Sequence, residues 1–182
     1  ICSAIYGISL GSHAVGREIA DHTNEFLLSK PISRARILTC KLVPGAFYVC
    51  ALSVLSYLFA RLSLSMFHFS NVITHEVFLF SVAMALVGVL FFALSSLVLS
   101  IAKRPEKGYL VSNLVFVAAF FIGMIYDIIE KGEAIRFLSP LRYFTPKEVV
   151  SGEINSLYFA LSITLIIMCI GATYWVYCTR DM

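Results

Sequence analysis

Four histidines, five cysteines and eleven carboxylates are the side chains here that could ligate a metal, attack a carbonyl or relay a proton. Their spacing supports none of these. Cys2, Cys40, Cys50, Cys169 and Cys178 show neither a CxxC nor a metal-ligand pattern. Cys40 and Cys178 fall near cytoplasmic ends, where thiols stay reduced, so no disulfide is expected and all five read as small apolar fillers. His68 and His75, seven apart, can share a helix face, but no third ligand is near and they read as exposed loop histidines. The chain has no GxxxxGK[ST] phosphate loop, HExxH or GxSxG, so no catalytic residue, metal or cofactor is assigned to it. What remains is the chemistry of association. It gathers in Arg17 to Lys41, REIADHTNEFLLSKPISRARILTCK, the only long charge-mixed segment, which carries five of the fourteen Lys and Arg residues.

The elements that hold this segment follow from elementary rules. Arg17 to Ser29 can form a short helix with Ile19, Phe26 and Leu27 on one face and Glu18, Asp21 and Glu25 in water. Pro31 ends it, because proline lacks an N–H and disfavours helical geometry in the residue before it. Ser33 is a natural N-cap for a second helix from Arg34. Helix, proline corner and recapped helix make an elbow, residues 17–41, suited to docking and to transmitting force.

The rest of the chain reads as membrane. It is 59% hydrophobic and 14% charged, more apolar surface than a soluble core of this size could hide. The apolar runs predict an all-α polytopic helical bundle, a single transmembrane domain over 1–182, with spans at 1–15 (partial), 42–60, 77–102, 109–129 and 154–178. The first run opens at Ile1 with no basic lead or cleavage site, as in a chain whose front lies upstream. Ser3, Gly7 and Gly11 recur every fourth residue and form a small-residue face for close helix approach, within the subunit or at a dimer contact. Pro44-Gly45 should kink the second span. Asn113 lies near the cytoplasmic end of the fourth span, and Asp127 near its outer end in a hydrated position. Residues 130–153 form an external segment, with Tyr143 and Phe144 at headgroup depth and Arg142 and Lys147 in water; a plain surface loop fits this segment as well. Tyr174, Trp175 and Tyr177 form an aromatic belt at the inner end of the last span. Nine Lys and Arg fall at 17–41, 103–107 and 180–182, against five on the other side, which makes the elbow side cytoplasmic. A net charge of +3 without a basic cluster argues against nucleic acid as a partner.

The elbow also carries a resemblance. Glu18, Ile19, Thr23, Glu25, Phe26, Leu27, Leu28, Ser29, Pro31, Ile32, Ser33, Arg34 and Lys41 match a pattern E-I-x-x-x-T-x-E-F-L-L-S-x-P-I-S-R-x(6)-K. In this the sequence resembles the type-2 ATP-binding-cassette permeases, the membrane subunits of many bacterial exporters. Relatives usually carry glycine before the threonine, where this chain has His22. The resemblance implies that the elbow holds the coupling helix, with Phe26, Leu27 and Leu28 as buried contacts to the ATPase, Glu25 and Arg34 as its polar partners, and Ser29 and Pro31 shaping the corner. It implies a sixth span before residue 1, a second permease subunit, identical or related, and separate ATPase subunits that carry ATP and Mg. Ser3, Gly7, Gly11 and Asn113 become candidates for the subunit interface or pathway wall.

The expected function is therefore that of a multi-pass permease in the bacterial cytoplasmic membrane. Alternating access would move an apolar or amphipathic cargo outward, such as a peptide, lipid or drug. A non-transporting scaffold or sensor, or an ion channel, is the alternative. Phe26→Asp, which puts a charge into a buried contact, is expected to weaken ATPase docking and leave membrane insertion unchanged, as read by co-purification and by the membrane-bound fraction.

Overall fold

A helix covered on every side can be apolar all round, and one helix of this chain is built that way. From Gly88 to Ser100 it buries Leu90, Phe91, Phe92, Ala93 and Leu99, together with Ser95, Ser96 and Ser100. The computed structural model describes residues 1–20, 34–66, 72–102, 104–128, 136–137, 139–145, 148–149 and 156–179. In chain order the long helices are α1 (Cys2–Ala20), α2 (Arg34–Met66), α3 (Val72–Ile101), α4 (Pro105–Ile128) and α5 (Ser156–Thr179), with a 3-10 turn at Pro140–Arg142. No strand occurs among the described residues. The buried axis is α3, and α1, α2, α4 and α5 all pack on it.

Four of these helices are long and apolar enough to cross a membrane, at Ala35–Met66, His75–Ile101, Glu106–Ile128 and Ser156–Thr179. Against the five spans expected, that is a count of four, with α1 packed alongside them. The pairings fix directions. Gly7 lies against Gly88 and Gly16 against Leu99, so α1 and α3 run parallel. Gly45 lies against Phe92 and Gly88 near Val49, so α2 runs opposite to them. The inner ends of α1, α2, α3 and α5 share a core of Val15, Leu38, Leu42, Leu99 and Tyr177.

Several boundaries differ from the sequence expectation. Cys2–Ala20 is one helix, so Arg17 to Ala20 continue α1 instead of opening a separate element. The backbone bonds of α1 carry on through these residues, and the charges at 17 and 18 do not interrupt them. The second helix starts at Arg34 as the capping pattern requires and runs through Pro44 to Met66. The span expected to end at residue 60 is thus helical to Met66. Arg61 donates to the Tyr57 hydroxyl at 3.1 Å, one turn back, which extends the helix beyond the apolar run. Proline at the first position of α4 suits a helix start, where no N–H is needed.

The α1–α3 contact is the closest in the bundle. A Cβ on Gly7 would fall onto the Gly88 carbonyl oxygen, and one on Gly11 would lie 2.5 Å from the Phe92 carbonyl oxygen. A Cβ on Gly171, by contrast, would meet no neighbouring side chain or other helix within 4 Å. Gly7→Ala is therefore expected to cost about 1–3 kcal/mol by overpacking. Gly171→Ala should be neutral or stabilise by about 0.5–1 kcal/mol through helix propensity. Thermal unfolding of the two variants in detergent checks the contrast.

Candidate functional site

Glu25, Phe26, Leu27, Leu28, Ser29 and Pro31 lie outside the described residues, and Arg34 is the first residue of α2. What the structure places is the footing of the elbow. Leu38 and Leu42 on its exit helix are buried with Val15 on its entry helix, and α3 and α5 close the cluster with Leu99 and Tyr177. Thr39 donates to the Ala35 carbonyl at 2.8 Å, which leaves its oxygen to accept the Tyr174 hydroxyl at 2.7 Å. Both helices leaving the elbow are therefore tied into one core. Of the expected aromatic belt only Trp175 faces fully outward; Tyr177 is buried and Tyr174 is spent on Thr39. Tyr177 turns inward because it sits on the face of α5 that meets this cluster.

Ser3, Gly7 and Gly11 are buried against α3 of the same chain. Ser3 donates to the Met84 carbonyl at 2.8 Å. About three helical turns further along, three hydroxyls join three helices. Ser95 on α3 donates to the Ile8 carbonyl at 3.0 Å, so its oxygen is free to accept Ser12 of α1 at 2.7 Å and Ser112 of α4 at 2.8 Å. Every hydroxyl proton at this junction has an acceptor. In hydrocarbon such bonds add roughly 0.6–2 kcal/mol each to helix association. Asn113, next to Ser112, is exposed.

The external segment holds a charged centre that sequence reasoning missed. Arg136 is buried, and its guanidinium meets both carboxylate oxygens of Glu148, Nη1 to Oε1 at 2.6 Å and Nη2 to Oε2 at 2.5 Å. It also donates to the carbonyls of Arg142 at 3.2 Å and Tyr143 at 3.0 Å, and lies 4.0 Å from the Tyr158 ring centroid. Burial alone would lower the Arg136 pKa, but the hydrogen bonds and charge of Glu148 outweigh it and leave the pKa above the ordinary value. Tyr143 stacks on Tyr158 with centroids 5.7 Å apart and donates to the Phe137 carbonyl at 2.7 Å. It is buried within the protein, since its ring completes this centre. Burial, with Tyr158 beside it, pushes the Tyr143 pKa up to about 12. Arg142 pairs with Asp127 at the outer end of α4, and Ser139 donates to the Ala119 carbonyl at 3.0 Å. The run FLSPLRYFTP, too apolar and aromatic for a solvated loop, was the available signal.

Beneath this clamp lies a cavity of about 430 Å³, lined mainly by apolar side chains such as Phe80, Met84, Phe120 and Phe144, with Ser3 and Arg142 as polar members. No cluster of metal-binding side chains occurs among the described residues.

Long apolar helices stitched by buried hydroxyls, with a clamped segment over an apolar cavity, fit a multi-pass membrane protein. The family model described as ABC-2 family transporter protein matches residues 1–182, the whole chain, and the chain belongs to that family. No curated protein and no solved structure matches it. The protein is accordingly a transmembrane permease of the ABC transporter kind, a membrane component rather than a catalyst.

Removing one partner of a buried ion pair leaves the other uncompensated, at about 3–5 kcal/mol when burial is complete. Because Glu148 is partly exposed, Arg136→Gln is expected to lose an amount near the lower end, measured by thermal unfolding. The raised Tyr143 pKa fixes a pH window. Its stabilising contribution is complete below the ordinary tyrosine value of 10.0 and is lost as pH rises through about 12. In Tyr143→Phe the loss of stability over that window should be smaller, as read by alkaline denaturation, and tyrosinate absorbance should lose its last-titrating component.

Proposed function

We propose that this chain is the permease subunit of an ATP-driven exporter in the bacterial cytoplasmic membrane. In this reading α1 is a fifth span, a sixth precedes residue 1, and two permease subunits enclose a pathway above two separate ATPases. ATP and Mg reside on those ATPases. Their closure moves the elbow, where Phe26, Leu27 and Leu28 are the apolar contacts, Glu25 and Arg34 the polar ones, and Ser29 and Pro31 set the corner. The observation that carries this is the shared core of Val15, Leu38, Leu42, Leu99 and Tyr177. Because it ties the helices on both sides of residues 21–33 to α3 and α5, displacement of the elbow cannot stay local. The result is a shift between inward-open and outward-open populations, driven by contacts that differ between them.

An apolar or amphipathic cargo is favoured by the cavity under the external clamp, whose volume and apolar lining fit the usual range of small-molecule sites. The full-length tagged protein, purified from its native membrane in mild detergent, is expected to bring down a soluble phosphate-loop ATPase in near-equal amount that hydrolyses ATP. Recovery of the protein alone, or with a partner that hydrolyses nothing, would favour a scaffold or sensor. Conductance in planar bilayers without ATP would favour a channel.

A further inference from the structure

The cavity of about 430 Å³ beneath the clamp has apolar walls and a charged rim. Of the polar side chains that reach it, Ser3 is spent on the Met84 carbonyl, and no buried polar side-chain atom among the described residues lacks a partner. A peptide or a sugar lodged here would bury its polar groups against walls that offer them nothing. Phe80 borders the cavity, lies in the apolar span His75–Ile101 and is 57% exposed, so the mouth opens sideways where lipid stands. The rim carries one charge of each sign. Arg142 lines the cavity and pairs with Asp127, which stands at the end of the apolar span Glu106–Ile128, where headgroups begin. Gly123 gives the Arg142 stem room to cross α4: a Cβ there would lie 3.3 Å from its Cγ and 3.4 Å from its Nε. Both partners stay within reach of a ligand, with side chains 28% and 48% exposed, whereas Arg136 is buried on Glu148 and two carbonyls.

We propose that this cavity takes an acyl chain of a bilayer phospholipid with an amine headgroup, its phosphate on Arg142 and its ammonium on Asp127. The inference rests on the reading of the cavity as a site for an amphipathic molecule, and it names the class of that molecule. A hydrocarbon chain asks nothing of the walls that the bilayer did not already supply. The two rim charges cancel, so a head of net negative charge gains no attraction to them. A head that carries both signs exchanges one ion pair for two, and a phosphate matches the guanidinium fork with two parallel bonds. Apolar walls with a few polar groups at one end are the usual form of a site that fixes the orientation of its ligand.

The test uses the full-length protein in vesicles of phosphatidylethanolamine and phosphatidylglycerol, with a trace of either lipid carrying a diazirine near the end of one acyl chain. After illumination, the phosphatidylethanolamine probe should label the stretch Phe80–Val87 and Phe120 more strongly than the phosphatidylglycerol probe does. Met84→Trp, which fills the cavity, should abolish this labelling while leaving that of the exposed Leu58 and Phe59 on α2 unchanged. Arg142→Gln should lower it about three- to tenfold, and Asp127→Asn should bring the two probes close to equality. Thermal unfolding of each variant separates loss of the site from loss of the fold. The proposal is overturned if the native chain is labelled equally by both probes. It is equally overturned if labelling persists in a folded Met84→Trp, or if the cavity residues stay unlabelled because chain preceding residue 1 fills the space. Those results leave the permease reading standing, because that reading falls only if no ATPase is recovered.

Discussion

The bundle depends on the approach of two backbones, α1 at Gly7 and Gly11 and α3 at Gly88 and Phe92. In lipid there is no hydrophobic gain in bringing apolar helices together, so close van der Waals contact and hydrogen bonds must supply the association. Glycine supplies the first and serine the second. Because the helices approach this closely, Ser12 and Ser95 come within bonding range, and Ser112 of α4 can join them. Substituting a larger residue at the glycines would separate the backbones and weaken the hydroxyl junction as well, so packing and polar satisfaction rise and fall together.

Much of this was legible in the sequence. Apolar runs mark the membrane helices because hydrocarbon leaves the backbone no other partners, and the elbow motif marks the family because its charges, proline and cap fall in a fixed order. Helix ends were less legible. Arg17 and Arg61 were read as boundaries, whereas a helix with its bonds already made extends past a single charge, and Arg61 does so by leaning on Tyr57. The small-residue stripe was visible at Ser3, Gly7 and Gly11, but the sequence left open whether α3 or another subunit would occupy it. The Arg136–Glu148 centre was hidden for a different reason. Its partners come from three separated stretches of chain, and neither periodicity nor spacing connects them before the fold does.

The two sides of the molecule are held by different physics. The inner side is apolar, with Leu38, Leu42 and Leu99 close-packed, and side chains packed in this way transmit displacement from one helix to the next. The outer side is ionic and aromatic, with Arg136 engaging two carboxylate oxygens, two carbonyls and one ring. Bidentate geometry has little tolerance for displacement. The inner side therefore couples its helices by packing and the outer side by direction.

Seen mechanically, α2 is a beam with an off-centre bearing. It rests on α3 where Gly45 meets Phe92 and Val49 meets Gly88, and from there it extends inward to Arg34 and outward to Met66. At the usual rise, measured from the middle of that contact, the inner arm is roughly 20 Å and the outer arm roughly 29 Å. Pro44 stands on the inner side of Gly45, so the outer arm is uninterrupted by proline. For a rigid tilt about that contact, the Met66 end would sweep about one and a half times the distance of the Arg34 end, in the opposite direction.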